Sequence, residues 1–253
     1  MSREIWVIRH SMRLSWESPK DWENHPRFKE NEYDVPISKN GFELAKKGAI
    51  ELTKKSKALK NKEIKYIYCS PYTRCIQSAL EIIKVVKEKF NYDIKLIIVY
   101  HLGESAWIPP VITFKGDKIK IQKPPINDIK KITAIDKKLE PESLKKTYKK
   151  YIHKTVGSST ETFSFDEQEY KKMSKAILNI HKKEKGSYII VGHLDTVKIA
   201  YKYFNQKNNS IPDIKNSSQD PIKGGPAGVN TIVGFKETDK EYEMIYKPNN
   251  KFK

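Results

Sequence analysis

Three short apolar runs in this 253-residue chain end abruptly in polar residues, and helical spacing follows each of them. The run at residues 5–8 ends in Arg9-His10, the alternating run at 64–69 ends in Ser70-Pro71, and the run at 187–191 ends in Gly192-His193. Short apolar runs of this kind read as buried strands, and helices between such strands serve as parallel crossovers. The expected fold is therefore α/β, a three-layer α/β/α sandwich with a mostly parallel central sheet. Ligands in such sheets gather beyond the carboxyl ends of the strands, so the three polar ends are expected to share one crevice.

The connecting elements agree with this order. Ser38 is placed to cap a helix running to about residue 58, with Leu44, Ala45, Gly48 and Leu52 as its apolar stripe. Ser70-Pro71 opens a helix over 72–89, where Ile76, Ala79, Leu80 and Ile83 recur at helical spacing. A strand at 94–100, helices at 166–183 and 194–204, and closing strands at 229–235 and 242–246 complete the pattern. Residues 108–165 are rich in lysine and hold Pro109-Pro110, Pro124-Pro125 and Pro141. They read as an insertion or lid on one domain spanning 1–253, with short strands at 111–114 and 118–122. Residues 205–228 read as a second long loop, and no internal repeat is visible.

Composition narrows the class. Hydrophobic residues make up 38% and aromatics 11%, enough apolar surface to exclude a disordered or fibrous chain. Cys69 and Cys75 have neither zinc-site nor C-x-x-C spacing, which favours a reducing compartment. No run approaches the ~18 apolar residues of a membrane span, and the early apolar stretch is shorter than the ~7–15 of a signal-peptide core, so a cytoplasmic protein is expected. The net charge of +18 invites a polyanion-binding reading. Against it, only five of the 49 basic residues are arginine, and no nucleic-acid module is visible, so no specific nucleic-acid binding is expected.

Where those five arginines fall is informative. A guanidinium grips two phosphate oxygens at once, whereas lysine is a point charge, so a lysine-preferring chain should keep arginine where that fork matters. Arg9 and Arg13 flank His10, and Arg74 lies just past another strand end. Taken singly, His10 could be an ordinary strand-end histidine, Arg74 a surface cap, and His193 a buried histidine satisfied by backbone. Their occurrence together gives them functional weight. His25, His153 and His181 lie in lysine-rich or loop settings and are expected to face solvent.

Arg9-His10-Ser11-Met12-Arg13, Ser70-Pro71-Tyr72-Thr73-Arg74 and Gly192-His193, in this order, resemble the histidine phosphatase superfamily, also called phosphoglycerate mutase-like. The stretch Asp34-Val35-Pro36-Ile37-Ser38-Lys39-Asn40-Gly41, continuing to Ala45, is similar to the family's D-x-P-L-[ST]-x-x-G-x-x-Q-A. Residues 69–77 and the tryptophan-containing stretch from Trp16 to Trp22 look most like the phosphatase domains of the suppressor of T-cell receptor signalling proteins. Ser11 stands where the family usually has glycine.

The resemblance implies a metal-independent phosphatase that hydrolyses phosphomonoesters through a phosphohistidine on His10, with no cofactor. It places Arg9, Arg13, Arg74 and His193 around the phosphate. The chemistry fits the residue types. A neutral imidazole is a competent nucleophile near neutral pH, and guanidinium donors stabilise the charge on a transferring phosphoryl group. The family draws its general acid from a glutamate shortly after the strand ending at Tyr100. The family sets it about six residues before an aromatic, which counted back from Trp107 is His101. A one-turn shift of the loop brings Glu104, three residues on, into place, so Glu104 is the favoured acid, with His101 and Asp195 as substitutes.

Expected partners are a phosphorylated small molecule or phosphoprotein, with a homodimer left open. Trp16, Trp22 and Trp107 either wall the cleft for a flat leaving group or belong to the core. A mutase is disfavoured because it must shield its phosphoenzyme from water. A non-catalytic phosphate-binding module and a polyanion binder remain as alternatives from other classes.

Overall fold

The computed structural model describes residues 2–29, 32, 34–103, 152–156, 167–205, 228–238 and 241–246. Its centre is a seven-stranded mixed sheet. The strands are β1 (Glu4–Arg9), β2 (Tyr66–Cys69), β3 (Lys95–Val99), β4 (Ile152–Val156), β5 (Tyr188–Gly192), β6 (Ile232–Glu237) and β7 (Tyr242–Tyr246). They lie in the order β4-β3-β2-β5-β1-β6-β7. The β1–β5, β5–β2, β2–β3 and β3–β4 pairs are parallel, while β6 and β7 close one edge antiparallel.

Side-chain alternation along the strands builds two cores. Trp6, Ile8, Ile67, Cys69, Leu96, Ile98, Ile189 and Val191 face α3 (Lys39–Lys55) and α5 (Thr73–Phe90). Ile5, Val7, Ile97, Val99, Tyr188 and Ile190 face α6 (Glu167–Lys183) and α7 (Leu194–Asn205). A strand buried on both faces can carry no polar side chain without a partner, which explains why β1 and β5 read as continuous apolar runs. The result is the three-layer α/β/α sandwich with a mostly parallel sheet that the sequence predicts.

Several details differ from expectation. Residues 14–23, for which no element is expected, form two short helices, α1 (Leu14–Glu17) and α2 (Pro19–Glu23). The helix expected to reach residue 58 stops at Lys55, and Ser56 starts a separate α4 (Lys57–Lys60) by accepting a hydrogen bond from Leu59 N. Ser38 caps α3 as expected, its hydroxyl accepting from Gly41 N at 2.9 Å. Ile152–Val156, inside the expected insertion, is the edge strand beside β3. The strands expected at 111–114 and 118–122 lie outside the described residues.

His181 corrects the expectation of solvent exposure, being only 6% exposed. The last turn of α6 carries it against Tyr188 and Phe204, and Tyr242 approaches its Nε2 at 2.7 Å. Spacing on a lysine-rich helix end hides this, because the packing partners come from β5, α7 and β7. His25 is half-buried against Trp22, and the side chain of His153 lies outside the described residues. Among the described residues, no helix is long and apolar enough to cross a membrane.

Candidate active site

Strands β2, β5 and β1 are adjacent, and pairing continues past their ends. His10 N donates to Gly192 O at 2.9 Å, and Ser70 N donates to Val191 O at 3.0 Å. His10, Ser70 and His193 are thereby fixed on one rim of the sheet. Gly192 is required here, because a Cβ would collide with the Thr196 side chain. That same Thr196 hydroxyl accepts from His193 N at 3.0 Å as α7 begins.

His10 is 1% exposed, and its Nδ1 lies 2.7 Å from the carbonyl oxygen of Ser11. A carbonyl can only accept, so Nδ1 carries the proton and the lone pair resides on Nε2. The His193 ring meets that of His10 edge-on, with centroids 5.4 Å apart. Arg74 Nη2 approaches His193 Nδ1 at 3.5 Å, and Ser70 Oγ lies 2.9 Å from Nε2. Because a guanidinium only donates, Nδ1 accepts and Nε2–H donates to Ser70. Burial foremost, then the charges of Arg74, Arg9 and Arg13, hold the His193 pKa well below the usual imidazole value. Three arginines from two different segments thus converge on one ring.

Arg74 is fully buried in the first turn of α5, with its guanidinium 4.3 Å from the centre of the Tyr72 ring. Asp34 holds this helix start in place. Its carboxylate accepts from Thr73 N at 2.8 Å, from Thr73 Oγ1 at 2.7 Å and from Arg27 Nη2 at 3.1 Å. The Arg27–Asp34 pair is buried on both sides, so it acts by fixing geometry more than by adding net stability. Gln77 Oε1 accepts from Ile37 N at 2.8 Å and ties the same loop to α5. The sequence shows Asp34 only as part of a motif. Its link to Arg27 and Thr73 depends on chain closure, which spacing does not reveal.

Ser11 fits where glycine is usual. It is fully buried, its hydroxyl donates to Gly41 O at 2.7 Å, and its N–H donates to Ser78 Oγ at 2.9 Å. Ser78 in turn donates to Arg74 O at 2.7 Å, which links the β1 loop directly to the arginine-bearing turn. Gly41 permits this close approach, since a Cβ there would lie 2.5 Å from Met12 O.

Arg9 and Arg13 are half-buried and share the Trp16 ring, at 5.3 and 3.8 Å from its centre. The structure therefore brings His10, Arg9, Arg13, Arg74 and His193 together. Glu104 and Trp107 lie outside the described residues. His101 is half-buried on the 3₁₀ turn after β3, and Asp195 is half-buried in the first turn of α7. Trp22 belongs to the core at 4% exposure, while Trp16 is 43% exposed. Guanidinium charge is concentrated around His193, while the Asp34 carboxylate takes the N-terminus of α5.

The fold is phosphoglycerate mutase-like, and a family likeness in sequence covers the first hundred residues. Residues 5–98 match the family model described as histidine phosphatase superfamily, branch 1, a stretch that includes Arg9, His10, Arg13 and Arg74. An uncharacterized phosphoglycerate mutase family protein of Acanthamoeba polyphaga mimivirus is 37% identical over 100 residues, covering 40% of this chain and 43% of the relative. The chain thus matches less than half the length of that curated relative. Among solved structures, the ecdysone phosphate phosphatase of Bombix mori, in complex with tungstate, superposes with a TM-score of 0.59 at 14% identity, covering 98% of this chain and 94% of that one. An Escherichia coli putative alpha-ribazole-5'-P phosphatase gives 0.51 at 12% identity, covering 98% and 96%. At such identities the likeness is one of fold.

Proposed function

We propose that this chain is a metal-independent phosphomonoesterase that works through a phosphohistidine on His10, acting on a phosphorylated small molecule or a phosphoprotein. The observation that supports it most is the His10 tautomer. With Nδ1–H bound to Ser11 O, the lone pair of the ring resides on Nε2, and the His193 ring and the arginines lie close by. Nε2 attacks phosphorus, and the N–P bond forms as the ester P–O bond breaks. The leaving oxygen takes a proton from the general acid, for which Glu104 is favoured over His101 and Asp195. Water then attacks the phosphoryl group and gives a proton to the Glu104 carboxylate. The N–P electron pair returns to His10, and orthophosphate departs.

Arg9, Arg13 and Arg74 bind the equatorial oxygens, where preorganised donors have the most effect on the transition state. A bound phosphate dianion offsets the arginine charges that depress His193. Burial, the larger cause of the lowered pKa, stays in place. Kinship with the phosphatase domains of the suppressor of T-cell receptor signalling proteins is part of this proposal. It rests on residues 69–77 and on the Arg-His-x-x-Arg start.

Hydrolysis of para-nitrophenyl phosphate in the presence of a chelator tests the reading, with acid-labile phosphoenzyme trapped by rapid quench. The parent is expected to turn over, and His10→Ala is expected to lose about a thousand-fold or more and to trap no phosphoenzyme. Turnover retained by His10→Ala would refute the nucleophile. No turnover by either protein, with orthophosphate still bound, would leave the non-catalytic binding module.

A further inference from the structure

We propose that Trp16 is a positioning residue that orients Arg9 and Arg13 for the anion. The inference rests on the reading of the cup as a phosphate site. At 43% exposure, Trp16 is the large hydrophobic side chain that the described part of the fold leaves exposed. It lies on α1, a four-residue helix that buries none of its residues. Core packing therefore does not account for it.

Its surroundings do. The Arg13 guanidinium carbon lies 3.8 Å from the ring centre and that of Arg9 lies 5.3 Å away, both within cation–π reach. The His10 ring is 6.0 Å off, tilted by 36°. Two guanidinium groups converging on one anion repel each other, and each long side chain loses rotamer freedom when held. A shared aromatic face holds both guanidinium planes in one orientation. Trp16 acts through the arginines.

The test compares Trp16→Phe, Trp16→Leu and Trp16→Ala for orthophosphate binding by calorimetry and for para-nitrophenyl phosphate kinetics. Leu and Ala are expected to weaken orthophosphate binding about ten-fold, and Phe to stay within about three-fold of the parent, since only Phe keeps a π face. KM should rise in proportion with kcat changed less, and melting temperatures should stay level because α1 buries nothing. Leu binding orthophosphate as well as Phe does would overturn the proposal. Should the His10→Ala experiment dismiss the phosphatase, the Phe-over-Leu order in orthophosphate affinity would still support Trp16. A parent that binds no orthophosphate would sink both.

Discussion

The two ends of β1 use the same residue types for opposite purposes. At its start, Arg3 pairs with Glu237, donates to the backbone carbonyls of His181 and Glu184, and lies beside the His181 ring. Tyr188 and Tyr242 reach the two nitrogens of that ring at 3.0 and 2.7 Å. At its far end, Arg9 and His10 face His193, Arg13 and Arg74. Burial is the foremost cause of the lowered pKa of both His181 and His193, and arginine is the next. They differ in what opposes it. Glu237 pulls His181 back up, whereas Arg74, Arg9 and Arg13 add to the effect of burial at His193. One end sets a carboxylate among its arginine and histidine. On the proposed reading, the other receives the phosphate.

Between the two ends, the larger effect on turnover is expected at the open one. Arg74→Lys keeps the charge but loses the planar fork, so kcat/KM for para-nitrophenyl phosphate should fall on the order of a hundred-fold. Because this side chain is fully buried, melting is measured alongside to separate lost function from lost folding. Arg3→Ala at the closed end should do the reverse. It leaves the Glu237 carboxylate and the His181 and Glu184 carbonyls without their donor, and should cost about 2–3 kcal/mol in urea unfolding. Its kcat/KM should stay within about two-fold of the parent, on the additivity expected for distant sites. A large loss of kcat/KM in folded Arg3→Ala would break the division between the two ends.

Much of the open end was legible in the sequence because it is written at strand ends. Arg9-His10, Ser70 to Arg74 and Gly192-His193 each follow an apolar run, and parallel topology must bring such ends together. Ser38 was legible for a similar reason, since a cap sits at a fixed offset from the helix it starts. The closed end was not. Arg3, His181, Tyr188, Glu237 and Tyr242 are far apart in the chain and follow no motif, so their cluster emerges only when β6 and β7 fold back against β1. The edge strand Ile152–Val156 was hidden among lysines, where a strand at the sheet margin needs less apolar sequence. Trp16 was visible as a residue, but whether it faced core or cleft depended on the two short helices of residues 14–23.

The smallest effect separates the two histidines by pH. Burial and Arg3 lower the His181 pKa to about 4 in the folded protein, against 6.5 for an ordinary imidazole. Between those values the unfolded chain holds a proton that the folded chain does not. Stability is therefore fully present above about pH 6.5 and is lost as pH falls toward 4, by about 1 kcal/mol per pH unit for one such group. His193 is shifted in the same direction, so both histidines steepen the acid loss of the ligand-free protein. Orthophosphate should act on only one of them. By offsetting Arg74, Arg9 and Arg13 it relieves His193, while His181, at the other end of β1, keeps its slope. Urea unfolding across pH 4.5 to 7 should accordingly show a partial flattening with saturating orthophosphate. A further flattening should appear in His181→Gln, whose amide can still meet the two tyrosine hydroxyls. A slope indifferent to orthophosphate would mean that the arginine cup does not control His193, and the two ends of the strand would no longer differ in the way described.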